Sequence, residues 1–147
     1  MSITLTENNK RLELDVLCYE FPDAEGDYFD ANWLNVGVVY DDGSLSFRQV
    51  DSCLLTFELE ELTETLDAIL EGRESGTITD FTEPYLALSV TRTAETYAVQ
   101  LRFVYDTEGK WKTVYVCEAL DRRALAEMNA ELKAMYARFP RREAREF

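Results

Sequence analysis

The chain has 147 residues, of which 46% are hydrophobic and 30% are charged, and its formal net charge is -14. This length and composition predict one globular domain and exclude a disordered or fibrous chain. No apolar run approaches the roughly 18 to 20 residues that cross a bilayer, and residues 1–10 lack the layout of a signal peptide. The sequence therefore predicts a cytoplasmic protein with no membrane interaction.

The chain contains no histidine, which is the commonest general acid or base near neutral pH. Ser-His-Asp and Cys-His hydrolysis and most zinc catalysis are thereby excluded, whereas carboxylate or lysine chemistry remains open. Cys18, Cys53 and Cys117 are far apart, and no pair has metal-ligand spacing. We expect all three thiols to be buried, reduced and unpaired, and we expect no metal, no cofactor and no enzymatic activity.

Charge is distributed unevenly along the chain. Residues 1–83 contain 20 acidic and 4 basic side chains, whereas residues 84–147 contain 9 acidic and 11 basic ones. An acidic surface repels nucleic acids and anionic membranes and attracts basic ligands. The asymmetry favours a basic protein partner over nucleic acid, although a role in solubility alone accounts for it equally well.

The first half of the chain is predicted to hold three strands and a helix. Alternating apolar residues predict strands over 10–20 and 33–40, and the turn residues 41–44 predict a hairpin onto residues 45–50. Residues 21–30 contain a proline, a glycine and four acids, which is typical of a loop. A helix is predicted from a Thr56 cap to Gly72, with an apolar stripe of Leu59, Leu62, Leu66, Ile69 and Leu70.

The second half is predicted to hold four strands and a closing helix. The strands are 78–82, 86–92, 97–105 and 111–118, and the last two form a hairpin. Asp121 is predicted to cap a helix that ends near Phe139 and Pro140, and the charged residues 140–147 are predicted to form a frayed tail. We therefore predict a single α+β domain spanning residues 1–147. Its sheet should be mostly antiparallel, with two helices packed on it.

Two acidic segments are candidate binding surfaces. At 100° per residue, acidic side chains cluster on the helix face opposite the apolar stripe, and no basic residue interrupts them before Arg73. Like charges four residues apart cost about 0.2 to 0.5 kcal/mol each, which favours a basic partner for this face. A solvated acidic face, whose first turn is favoured by the helix dipole, accounts for the pattern equally well. The other segment is the acidic loop 23–27, whose glycine is misplaced for a helix-loop-helix calcium site. The candidate residues are Glu60, Glu61, Glu64, Asp67, Glu71, Asp23, Glu25 and Asp27.

Several separated stretches resemble the WapI-type immunity proteins, which partner the toxic C-terminal domains of bacterial wall-associated toxins. The stretches are Phe21-Pro22, residues 30–36 (DANWLNV), residues 53–56 (CLLT), Glu83-Pro84 and Phe139-Pro140. The resemblance implies a small cytoplasmic antitoxin that binds and neutralises a cognate toxin domain, often a nuclease. It implies no catalytic residues.

Three hypotheses about function remain open at this point. The first is an immunity protein that occludes a toxin domain, with acidic residues guiding association and a few aromatic residues providing affinity. The second is a non-catalytic adaptor or a homo-oligomeric interaction domain. The third is a carboxylate-dependent enzyme acting on a small molecule, which would require a deep pocket with convergent carboxylates.

Overall fold

A computed structural model describes residues 2–24 and 28–143. Within these residues the chain forms eight strands and three helices. In chain order they are β1 (Ile3–Glu7), β2 (Lys10–Tyr19), α1 (Tyr28–Asn32), β3 (Trp33–Asp41), β4 (Ser46–Leu55), α2 (Thr56–Leu70), β5 (Gly76–Asp80), β6 (Leu86–Thr93), β7 (Thr96–Thr107), β8 (Lys110–Leu120) and α3 (Arg122–Arg138).

The strands form two antiparallel sheets of four, in the orders β1-β2-β3-β4 and β5-β6-β7-β8. The predicted α+β class with mostly antiparallel pairing is confirmed, but the strands are divided between two sheets. Strand β1 lies beside β8, where the backbone N–H of Thr6 donates to Oε1 of Glu118 at 3.0 Å. Phe47 of the first sheet stacks on Tyr105 of the second, with 4.4 Å between the ring centroids. Apolar side chains of both sheets and of α2 and α3 therefore share one core.

The main helices begin and end largely where their sequence signals predict. The Asp121 side chain accepts from the N–H of Ala124 at 2.7 Å, which confirms the predicted cap of α3. Gly72 has a φ of 78°, a conformation that ends α2 at no steric cost. Thr56, however, is the first helical residue and not the cap. At that end of the helix, the Glu58 carboxylate accepts a hydrogen bond from the backbone N–H of Leu55 at 3.0 Å.

Cys18 was predicted to be buried, but it is exposed. The cause is a register shift in β2 between Val16 and Cys18. Val16 is buried, whereas the shift turns Cys18 away from the core, so Cys18 is exposed. Cys117 is half-buried, and only Cys53 has the fully buried thiol that was predicted for all three. None of the three is in a disulfide.

The segment after α3 also differs from its prediction. Residues 140–147 were predicted to fray, but Pro140 and Arg142 form hydrogen bonds with the first half of the chain. The hydroxyl of Tyr19 donates to the carbonyl of Pro140 at 2.6 Å, and the N–H of Arg142 donates to Oδ1 of Asn32 at 2.9 Å. The remainder of the predicted tail, residues 144–147, lies outside the described residues.

Candidate functional site

The acidic face of α2 divides into carboxylates that are engaged within the fold and carboxylates that face solvent. Glu60 and Asp67 are partly buried and contact α3 or the segment that follows it. Glu61 and Glu64 are exposed, and among the described residues no cation pairs with either one. Glu71 is exposed and pairs with its neighbour Arg73 at 2.7 Å.

Cations outside α2 pair with two carboxylates of its acidic face, Glu60 and Asp67. Lys133 of α3 lies 2.8 Å from Oδ1 of Asp67. Arg141, after α3, lies 3.8 Å from Oε1 of Glu60, and the other carboxylate oxygen, Oε2, accepts a hydrogen bond from the Tyr136 hydroxyl. The partners of these two carboxylates thus come from residues more than 60 positions away, which no local sequence pattern can reveal.

A cluster of aromatic side chains lies at the N-terminal end of the acidic face. Tyr28 of α1 stacks on Phe57 of α2, with centroids 5.2 Å apart and planes 10° apart. Phe29 meets Phe57 edge-on at 6.1 Å. Tyr28 is 37% exposed and Phe29 is 50% exposed, although both are large hydrophobic residues. We name Tyr28, Phe29 and Phe57 the aromatic cluster.

The aromatic cluster is continuous with the solvent-facing acids. Phe57, Glu61 and Glu64 occupy positions i, i+4 and i+7 of α2 and therefore lie on one face of the helix. The cluster is not predicted from the sequence, because Tyr28 and Phe29 fall in a stretch predicted to be a loop. One sequence feature does point to the cluster, namely Phe57, an aromatic residue on a helix face that is otherwise acidic.

The second predicted acidic segment approaches the same region. Asp23 and Asp30 line a shallow depression of about 420 Å³ together with residues 20–22 and Ala24. Phe21, at the edge of the depression, is 43% exposed. Glu25 and Asp27, the other predicted loop residues, lie outside the described part of the chain. The structure therefore brings one end of the loop next to α1 and the aromatic cluster.

Asn32 joins three segments beneath the aromatic cluster, and it is fully buried. Its amide nitrogen donates to the carbonyl of Tyr28 at 2.7 Å and to that of Arg142 at 2.9 Å. Its amide oxygen accepts from the hydroxyl of Thr56 and from the N–H of Arg142. A buried amide with all its hydrogen bonds formed fixes α1, the start of α2 and the C-terminal segment relative to one another.

The junction at Asn32 collects stretches that carry the family resemblance and are far apart in sequence. It includes residues from 30–36, 53–56 and the Phe21-Pro22 pair, whose two carbonyls accept from the Arg142 side chain. Phe139 packs edge-on against Tyr19, with centroids 5.4 Å apart. These stretches therefore have a shared structural role, which is to hold α1 and its aromatic residues in place.

Exposed apolar residues also occur on the outer sheet faces. Trp111 is 60% exposed and stacks on Tyr85 on the outer side of the second sheet, and Tyr115 nearby is 48% exposed. Val39 and Val50 are exposed on the first sheet. Substitutions at these exposed residues can therefore be compared with substitutions in the aromatic cluster.

A depression of about 420 Å³ between β1, β8 and α3 is lined by Glu118, Glu127 and Glu131. Glu118 is engaged there, because its Oε1 accepts from both the N–H and the hydroxyl of Thr6. Across residues 2–24 and 28–143, no three side chains of His, Cys, Asp or Glu are grouped as metal ligands would be. No helix in this part of the chain is long and apolar enough to cross a membrane.

The described residues thus form an α+β fold in which the exposed Tyr28 and Phe29 lie beside the acidic face of α2. The chain matches the model of the immunity protein WapI-like family over residues 3–140. Because the match spans almost the whole chain, the chain belongs to the WapI-like immunity protein family. A comparison with curated proteins finds no match. Family membership confirms the resemblance and indicates, in general terms, a toxin-neutralising role with a toxin protein as the partner.

Proposed function

We propose that this chain is a cytoplasmic immunity protein that binds the toxic C-terminal domain of a wall-associated bacterial toxin and blocks it without catalysis. The family match over residues 3–140 is the observation that carries the proposal. The proposed partner surface is basic, as in many nuclease domains, because the face offered to it is acidic. Occlusion of such a surface would keep the toxin from its substrate.

The proposed interface combines the aromatic cluster with the solvent-facing acids around it. Exposed aromatic residues on a fixed backbone provide large contact area at small cost in side-chain entropy, and they are typical of residues that dominate binding energy. Surrounding carboxylates accelerate association with a basic partner more than they slow dissociation. The acidic residues of the proposed interface are Asp23, Glu25, Asp27, Glu60, Glu61, Glu64, Asp67 and Glu71.

The contacts of the acidic residues support different roles within the interface. Glu61 and Glu64 are exposed and have their charges available for long-range attraction. Glu60 and Asp67 are engaged by Arg141 and Lys133, which neutralise part of their charge and hold α3 against α2. We therefore propose that Glu61 and Glu64 contribute most to the rate of association with the toxin.

Coexpression with the adjacent toxin domain tests the proposed function. The probe is the C-terminal domain of a wall-associated toxin whose gene neighbours the gene of this chain. It is expressed in the cytoplasm, with and without the chain, and growth is measured. The purified proteins are then mixed and their complex is measured by size-exclusion chromatography with light scattering. We expect rescue of growth and a stable complex. Continued toxicity with no complex would refute the proposal.

A further inference from the structure

The side chain of Arg142 holds together the two sides of the segment that precedes β3. Its Nη2 and Nη1 donate to the carbonyls of Phe21 at 2.9 Å and Pro22 at 2.7 Å. Its Nε donates to the carbonyl of Ala31 at 2.7 Å. The guanidinium also lies over the ring of Tyr19, 3.8 Å from the centroid. One side chain thus links residues on either side of Tyr28 and Phe29.

The backbone of Arg142 strengthens the same link. Its N–H donates to Oδ1 of Asn32 and its carbonyl accepts from Nδ2 of Asn32, both at 2.9 Å. A guanidinium presents five donors in a planar fork, so it can satisfy three carbonyls at once. A lysine ammonium is a single charged point and cannot reproduce that geometry.

We propose that Arg142 is a positioning residue that holds Tyr28 and Phe29 ready for the toxin. The inference rests on the proposed function, because it assigns Arg142 a role in that same interface without contact with the partner. A surface fixed before binding loses less conformational entropy when the partner docks. Loss of the Arg142 contacts therefore weakens binding through α1 even though α1 itself is unchanged in sequence.

Hydrogen exchange of the free full-length chain tests the positioning step. Backbone amides of residues 28–34 are compared in wild type, Arg142→Ala, Arg142→Lys and Val90→Ala. Val90 is a fully buried residue of β6 in the second sheet, so its truncation provides a global loss of stability. We expect exchange of residues 28–34 to be about tenfold faster in both Arg142 variants and close to wild type in Val90→Ala. Wild-type exchange in both Arg142 variants would overturn the inference.

Toxin affinity provides the functional test. We expect Arg142→Ala and Arg142→Lys to weaken binding of the adjacent toxin domain by about 10-fold to 100-fold, whereas Val90→Ala, folded at the same temperature, binds like wild type. Arg142→Lys decides the question if Arg142→Ala does not fold. Wild-type affinity in a folded Arg142 variant would overturn the positioning role alone. A wild-type chain that does not bind the toxin would instead refute the proposed function, and the exchange experiment would still decide whether Arg142 orders α1.

Discussion

Asp67 on α2 and Lys133 on α3 form a 2.8 Å ion pair across the contact between the two helices. The same carboxylate oxygen of Asp67 accepts from the amide of Asn129, a buried residue, at 2.9 Å. Asp67→Ala removes the shorter of the two hydrogen bonds that this amide nitrogen donates and leaves the one to the Thr63 carbonyl at 3.4 Å, so we expect the free energy of unfolding to fall by about 1–2 kcal/mol. Urea denaturation measures the change. Glu64→Ala, on the exposed part of the same face, is the control and should change it by less than about 0.5 kcal/mol.

Loss of the Asn32 side chain should lower the free energy of unfolding more than loss of any other polar side chain described above. Asn32→Ala removes hydrogen bonds to Tyr28, Thr56 and Arg142 inside the protein, and we expect a loss of about 2–4 kcal/mol. Asn35→Ala, a half-buried neighbour bonded to Ser52, should cost about 1 kcal/mol. Equal melting temperatures for Asn32→Ala and wild type would contradict the role given to the junction.

The three thiols should differ in reactivity in the order of their exposure. Cys18 is exposed and should react first with a thiol reagent in native protein, Cys117 more slowly, and Cys53 only after unfolding. Thiol titration with mass spectrometry identifies the modified residue at each time. Denatured protein should release three free thiols, and a disulfide between any two would contradict the structure.

Alkaline pH should destabilise the fold, because the buried Cys53 thiol and the buried Tyr40 hydroxyl must stay protonated in the folded chain. Burial raises the pKa of Cys53 from 9.0 to about 12, and burial also raises the pKa of Tyr40 from 10.0 to about 12. The unfolded chain releases the Cys53 proton above about pH 9 and the Tyr40 proton above about pH 10, whereas the folded chain retains both up to about pH 12. The free energy of unfolding should therefore fall by about 1.4 kcal/mol per pH unit for each such group.

Denaturation at several alkaline pH values checks this dependence. Cys53→Ala should show a shallower decline above pH 9, because one of the two protons is no longer involved, even though its stability at pH 7 is lower. An identical pH slope in wild type and Cys53→Ala would contradict the burial of this thiol.

The sequence predicts most of the regular structure because alternation and helical spacing are local signals. The stripe from Leu59 to Ile69 and the Asp121 cap are of this kind. The exposure of Cys18 could not be predicted, since the register shift beside it depends on pairing with β3. The aromatic cluster and the Asn32 junction depend chiefly on contacts between residues 24 to 121 positions apart, which a single sequence does not encode in any local pattern.

Reversal of the solvent-facing acids should slow association with a basic toxin. We expect Glu61→Lys with Glu64→Lys to reduce the association rate about tenfold at low salt, and less near 0.15 M salt, where the Debye length is about 8 Å. Glu95→Lys with Glu127→Lys is the control, because it changes the net charge equally at other exposed positions. Stopped-flow mixing at two salt concentrations measures both pairs. Equal slowing by both would show that net charge alone guides association.

The affinity of the adjacent toxin domain for Phe29→Ala tests the account most directly. Phe29 is 50% exposed in the aromatic cluster, and Trp111 is 60% exposed on the outer face of the second sheet, so Trp111→Ala is a matched control. Titration calorimetry on both variants and on wild type, with stability checked by thermal unfolding, gives the dissociation constants. We expect Phe29→Ala to weaken binding by about 30-fold or more and Trp111→Ala to bind like wild type. Unchanged affinity in Phe29→Ala together with strong loss in Trp111→Ala would contradict the account and locate the toxin on the second sheet.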